Sequence, residues 1–209
     1  MRALLAAALI AAAAVTPARA DETRTVSGVF TTAGADHMSI EFPSGTLTLV
    51  AGEGDSIVAV MKAHCRHGDC MPRIEQVRLV SEREGSVVHL ALQGYPKWNH
   101  HGLEISLRLE IPRRLAVDVD MGAGDLAVRG LQQDVALRLG AGDVVLQLPE
   151  SAVRSVRAHV GLGDATLHGH RGNVDGSGFL GKTLRWTDGT GASRVRVDLG
   201  VGDVSVSLD

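Results

Sequence analysis

Cys65 and Cys70 enclose Arg66-His67-Gly68-Asp69, with His64 immediately before them. Two chemistries fit this spacing. In an oxidising compartment, four residues around a glycine suit a small disulfide at a hairpin tip. Its closed loop is worth about 2 kcal/mol of unfolded-state entropy. The set His64, Cys65, His67 and Cys70 also supplies enough donors for a metal ion. Adjacent residues of a strand point to opposite faces, however, which works against that set. Thioredoxin-like exchange would need Cys-x-x-Cys at a helix start, and the sequence shows neither feature.

Carboxylates form the second group. Gly122-Ala-Gly-Asp125, Gly140-Ala-Gly-Asp143, Gly161-Leu-Gly-Asp164 and Gly200-Val-Gly-Asp203 spell one motif four times. Glycines at 122, 124, 140, 142, 161, 163, 200 and 202 answer the need of a sharp corner, and each Asp can accept hydrogen bonds from turn N–H groups. If the four Asp residues align, they repel unless paired or bridged by a cation such as calcium. The glycine-aspartate calcium solenoid has a nine-residue period and a richer motif, so turn stabilisation is the simpler role. Whether any of these residues binds metal is open at this level. Asp118, Asp120 and Asp198 share a polar-face strand context, but no neighbouring cluster supplies a second catalytic role. His159, His168 and His170 are close enough in sequence for the intervening turn to bring them together, as surface groups or as a weak transition-metal site. There is no Gly-x-Ser-x-Gly elbow and no His-Glu-x-x-His. No Gly-x-Gly-x-x-Gly stands between strand and helix, so the sequence implies no cofactor.

The loop Tyr95-Pro-Lys-Trp-Asn-His-His-Gly102 holds the only Tyr of the chain and one of its two Trp. Tyr95, Lys97, Trp98, His100 and His101 are either a cap over the end of the core or an exposed contact loop.

The elements that position these groups are strands. Leu103, Ile105, Leu107, Leu109 and Ile111 alternate with polar residues until Pro112, which cannot donate a ladder hydrogen bond. Similar alternation follows Pro43-Ser44-Gly45, Gly52-Glu-Gly-Asp55 and Glu84-Gly85, and no helical stripe of ten residues stands out. Each Gly-x-Gly-Asp copy lies between two short strands, and their first glycines are 18, 21 and 39 residues apart. A degraded copy, Asp175-Gly-Ser-Gly-Phe179, falls in the double-width gap. A row of small branched side chains cannot close a core alone. Stacking successive units buries it. The expected fold is all-β, a solenoid-like stack, with a two-sheet sandwich as the competing arrangement.

Composition agrees. The chain has 209 residues, 25 of them Gly, with only 3% aromatics and 44% hydrophobic residues. A thin stack has little room for rings. Residues 1–20 read as a signal peptide: Arg2, an apolar run from Leu4 to Val15, then Ala18-Arg-Ala20 as the cleavage site. Residues 21–209 form the exported part, irregular over 21–115 and regular over 116–209. Without Arg2 and Arg19 the chain has 19 basic against 24 acidic residues, a net charge of about −5. That balance speaks against nucleic acid and against adsorption to anionic lipid. No second long apolar run suggests stable membrane insertion after cleavage.

The strand-Gly-x-Gly-Asp-strand repeats, introduced by Leu109-Glu-Ile-Pro-Arg-Arg-Leu-Ala-Val-Asp-Val119, resemble the bacterial DUF4097 group, whose members carry an adhesin label. Phe42-Pro-Ser-Gly-Thr-Leu-Thr-Leu49 and Gly54-Asp-Ser-Ile-Val-Ala-Val60 are similar to that group's opening. The resemblance spans roughly residues 27–209. It implies an elongated, toast-rack-like β-stack in an envelope-associated protein and brings no catalytic residues. The resulting expectation is a non-catalytic periplasmic or secreted module that contacts an envelope protein or a glycan. The alternatives are a polysaccharide-acting β-helix enzyme and a metal- or redox-responsive envelope protein.

Overall fold

The computed structural model describes residues 22–66, 70–95, 102–170, 172–179 and 181–209. The signal segment and its cleavage point lie outside the described residues. The strands are β1 (Glu22–Thr31), β2 (His37–Gly52), β3 (Ser56–Cys65), β4 (Arg78–Glu84), β5 (Val87–Gln93), β6 (Leu103–Pro112), β7 (Ala116–Arg129) and β8 (Val135–Ala141). They continue as β9 (Val144–Leu148), β10 (Val153–Leu162), β11 (Ala165–Gly169), β12 (Gly172–Asp175), β13 (Lys182–Trp186), β14 (Ser193–Val201) and β15 (Val204–Leu208). One four-residue helix, α1 (Met71–Ile74), separates β3 from β4.

All fifteen strands belong to one hydrogen-bonded system, but it folds into two layers. In the first layer the order is β4-β5-β2-β7-β8-β14-β10-β13. In the second it is β1-β3-β6-β2-β7-β9-β15-β11-β12. Strands β2 and β7 serve both layers. The first half of β7 pairs with β8, and its second half with β9. Every repeat therefore runs up one layer, turns at its Gly-x-Gly-Asp corner and continues in the other. The rungs of the stack are parallel, as a coil requires.

Alternation selects the buried face. Val117, Val119 and Met121 precede the first Gly-x-Gly-Asp corner and Leu126 and Val128 follow it; Val135, Leu137 and Leu139 precede the next, with Val144, Leu146 and Leu148 after it. These residues are at most 2% exposed and form one continuous core. Buried rings lie outside these rungs: Phe42 in β2, in register with Met121, Trp186 in β13 and Tyr95 after β5.

Three features differ from the sequence expectation. The stack does not follow chain order. The last copy, β14–β15, inserts between β8–β9 and β10–β11. Sequence spacing cannot reveal this, because every rung offers equivalent parallel edges. Second, Asp175–Phe179 is not a rung corner. It belongs to an antiparallel return in which β12 pairs with β11 and β13 with β10. Third, the first half supplies a rung of its own: Phe42, Ser44, Gly45 and Thr46 stand in register with Met121, Ala123, Gly124 and Asp125. Pro43 and Thr46 replace the first Gly and the Asp, which hides this copy from a motif search.

Candidate functional site

The corners are built by backbone contact. Gly124, Gly142, Gly202 and Gly163 have φ of 121°, 129°, 131° and 134°, a region that favours glycine. A Cβ on these four would lie 1.9, 1.9, 1.8 and 1.9 Å from the carbonyl oxygens of Gly45, Gly124, Gly142 and Gly202 respectively. The glycines therefore form a column in which each rests on the carbonyl of the rung beside it.

The aspartates line the same corner, and their hydrogen bonds run between rungs, not within a turn. The Asp203 N–H donates to Asp143 Oδ1 at 3.1 Å, and the Asp164 N–H donates to Asp203 Oδ1 at 2.7 Å. Lys182 Nζ closes the series on Asp164 Oδ1. Backbone donors and one ammonium thus offset the repulsion expected of aligned carboxylates. Among the described residues, no group of three or more His, Cys, Asp or Glu is placed to hold a metal ion.

Cys65 and Cys70 are joined by a disulfide with a Cα–Cα distance of 5.8 Å, and both are buried. Its setting is not a hairpin tip. The bond ties the end of β3 to the first residue before α1, and β3 pairs with β1 and β6 rather than with a following strand. A helical turn does follow Cys70, contrary to the sequence reading, with the Arg73 and Ile74 N–H groups bonded back to the Cys70 carbonyl. With both sulfurs bonded to each other, the Cys/His metal set loses its thiolates; His67 lies outside the described residues. His64 Nδ1 instead meets Thr23 Oγ1 at 3.1 Å.

Tyr95 is buried, with its hydroxyl 2.6 Å from Ser44 Oγ. It packs under the first corner, where the cryptic rung meets β6. Burial raises the phenol above its usual 10.0, and the Ser44 hydrogen bond only partly opposes that. The other loop residues, Lys97, Trp98, His100 and His101, lie outside the described residues.

The three histidines do not converge. His159 is on β10 in the first layer, with Nδ1 3.3 Å from Thr183 Oγ1. His168 is on β11 in the second layer, and His170 binds Glu150 Oε2 through both its N–H and its ring. The corner at 161–164 carries the chain from one layer to the other, so it separates these residues. Asp118 is likewise engaged, 3.0 Å from His37 Nε2. Asp120 and Asp198 both lie opposite Arg138 in strand register, so the three acids form no catalytic pair.

Two surface features were not singled out from the sequence. The middle residue of each corner points to solvent, and at one end of the stack it is large: Leu162 is 57% and Val201 49% exposed, directly opposite each other. Nearby in sequence to β13, Phe179 is 98% exposed. The second feature is basic. Arg196 on β14, Arg157 on β10 and Arg185 on β13 stand in one cross-strand row on the outer face of the first layer. Arg194 sits two residues from Arg196 on the same face. The signal in sequence was alternation, Ser-Arg-Val-Arg-Val, Val-Arg-Ala and Leu-Arg-Trp, but only the register brings these arginines together.

A family profile described as the N-terminal domain of toast_rack, DUF2154, matches residues 19–168. No curated protein matches the sequence. The fold is similar to that of a "putative cell adhesion protein" from Clostridium sporogenes at a TM-score of 0.55, with 12% identity over 90% of this chain and 100% of that one. A "putative adhesin" from Parabacteroides distasonis aligns at a TM-score of 0.30 and 9% identity over 88% of this chain and 97% of that one. Among the described residues, no helix is long and apolar enough to cross a membrane.

Proposed function

The chain belongs to the family of N-terminal toast_rack domains, and from that premise we propose that it is an exported, non-catalytic contact module of the bacterial envelope. The repeats and the Leu109–Val119 passage support a kinship with the DUF4097 group as well. Residues 1–20 act as the export signal, and the exported form begins at Asp21, in the periplasm or outside the cell. Residues 21–209 then work as one unit.

The observation that carries the contact role is the exposed apolar pair Leu162–Val201 on the glycine column. Apolar side chains that adjoin one another in water form a contiguous patch, the feature that distinguishes a contact surface from scattered exposed residues. The corner cannot give way, because its glycines already touch the neighbouring rung. Such an edge suits a flat protein or glycan surface and offers no enclosed site for chemistry.

Sedimentation with isolated cell envelopes tests the reading. The exported form is expected to co-sediment, and Leu162→Ser/Val201→Ser to lose at least about tenfold of that retention, the scale of two lost apolar contacts. Absence of retention, or equal retention of the double variant, overturns the contact role. Release of new reducing ends from envelope polysaccharide overturns its non-catalytic character and favours the β-helix enzyme.

A further inference from the structure

The arginine row has an unusual electrostatic setting. Arg196 lies directly opposite Arg157, and Arg157 directly opposite Arg185. Adjacent strands are about 4.8 Å apart, so three guanidinium stems share a strip about 10 Å wide. Like charges directly opposite each other destabilise a sheet. Three arginines elsewhere do have carboxylate partners: Arg66 with Glu104, Arg113 with Glu53, Arg114 with Asp55. Among the described residues, no carboxylate lies within ion-pair distance of Arg157, Arg185, Arg194 or Arg196.

These four side chains line one open cavity of about 540 Å³. Two carboxylates share its wall. Asp118 is held by His37, and Asp134 Oδ1 accepts the Arg194 backbone N–H at 2.7 Å. Four guanidiniums against two carboxylates leave a surplus of about two positive charges. Ser155 and Thr187 add hydroxyls at the rim. The row sits on strands β14 and β10, each paired on both sides, and on the edge strand β13, with Val156, Leu184, Trp186 and Val195 buried beneath it, so its spacing is set by strand register before any ligand arrives.

We propose that this cavity binds the phosphomonoester group of a phosphorylated sugar. A phosphomonoester carries about −1.5 to −2 charges near neutral pH and presents three acceptor oxygens. That matches both the surplus charge and the row of three guanidinium forks that line the cavity. A carboxylate carries only one charge, which leaves about half of the surplus uncompensated, and presents two acceptor oxygens in place of three. Guanidinium forks bind phosphate in the bidentate manner that ammonium groups cannot reproduce. The volume lies in the range of small-ligand sites, and the hydroxyl rim suits the sugar. The site uses residues distinct from the Leu162–Val201 edge, so either can fail alone.

Calorimetric titration of the exported form with glucose 6-phosphate tests this, with glucuronate and glucose as comparison ligands. Glucose 6-phosphate is expected to bind, more weakly as salt rises, with glucuronate at least about tenfold weaker and glucose without measurable heat. Arg157→Gln is expected to weaken binding about tenfold, the usual scale for one charge-assisted hydrogen-bond donor. Arg138→Gln, which removes a guanidinium flanked by Asp120 and Asp198, leaves it unchanged. Arg157→Gln also relieves repulsion, so its melting temperature in free protein stays at or above that of the wild type. A merely structural arginine would lower it. Equal binding of glucuronate or glucose, or wild-type binding by Arg157→Gln, overturns the proposal.

Discussion

Substituting Gly142 by alanine separates two energies that the corners combine. The native φ of 129° is one that L side chains rarely adopt, and holding alanine there costs about 1–3 kcal/mol. The new Cβ would also lie 1.9 Å from the Gly124 carbonyl oxygen. Real contacts of this kind exceed about 3 Å, so two rungs must part by more than about 1 Å. The neighbouring Leu126 N–H to Asp143 O bond, now 2.9 Å, does not survive that shift. A buried bond lost in this way costs about 1–3 kcal/mol. The expected destabilisation is about 2–6 kcal/mol, or a fall in melting temperature of about 4–24 °C for a domain of this size. Gly172 provides the control. Its φ is 121°, yet nothing lies within 4 Å of an added Cβ. Gly172→Ala therefore carries the torsional cost alone, about 1–3 kcal/mol at most. Urea unfolding of both variants, with the slope checked against wild type, reads the difference. If the two variants fall within about 1 kcal/mol of each other, the rungs are not held by contact through the glycine column.

Two further predictions concern the first half of the chain. Replacing both cysteines by alanine opens a loop five residues in separation and should lower stability by about 2 kcal/mol; two free thiols in untreated, denatured wild type would contradict the bond. Tyr95 is the only tyrosine, so ultraviolet titration of its phenol reads this group alone, and the folded protein should ionise above 10.0. Because the unfolded chain then loses its phenolic proton first, stability falls as pH rises past 10, and Tyr95→Phe removes that part of the slope. A folded phenol that titrates at or below 10 refutes the burial of its hydroxyl against Ser44.

Much of the fold was legible because its physics is local. The alternation of Leu103 to Ile111 states which face is buried, and Pro112 states where β6 ends. The Gly-x-Gly-Asp spelling locates four corners because its second glycine meets both the positive φ and the close carbonyl. What remained hidden is set by pairing between distant segments. Pro43-Ser-Gly-Thr46 forms a rung corner without the motif, since register with β7 places it there. Asp143, Asp203 and Asp164 are linked in that order, which follows the stack and not the sequence. The arginine row depends on a parallel register on one side of β10 and an antiparallel register on the other. Neither register is written in the local pattern of Val-Arg-Ala or Leu-Arg-Trp.

The insertion of β14 explains how such a row can exist at all. Arg157 and Arg185 come from β10 and β13, which pair with each other directly. Arg196 joins them only when β14 enters between β8 and β10. Its entry sets like charges opposite one another, at roughly 0.2–1 kcal/mol for each pair. The same step buries Val195, Val197 and Leu199 of β14 and Val204, Val206 and Leu208 of β15, none more than 2% exposed. At about 1.5–3 kcal/mol for each side chain, that burial exceeds the repulsion severalfold even after a discount for compact unfolded chains. The core therefore decides where the last rung goes, and the arginines follow their strands. The repulsion remains in the free protein as a small stored cost, and a bound dianion would release it. Removal of one arginine should accordingly weaken the ligand while steadying the fold, a pair of opposite signs that packing alone does not produce.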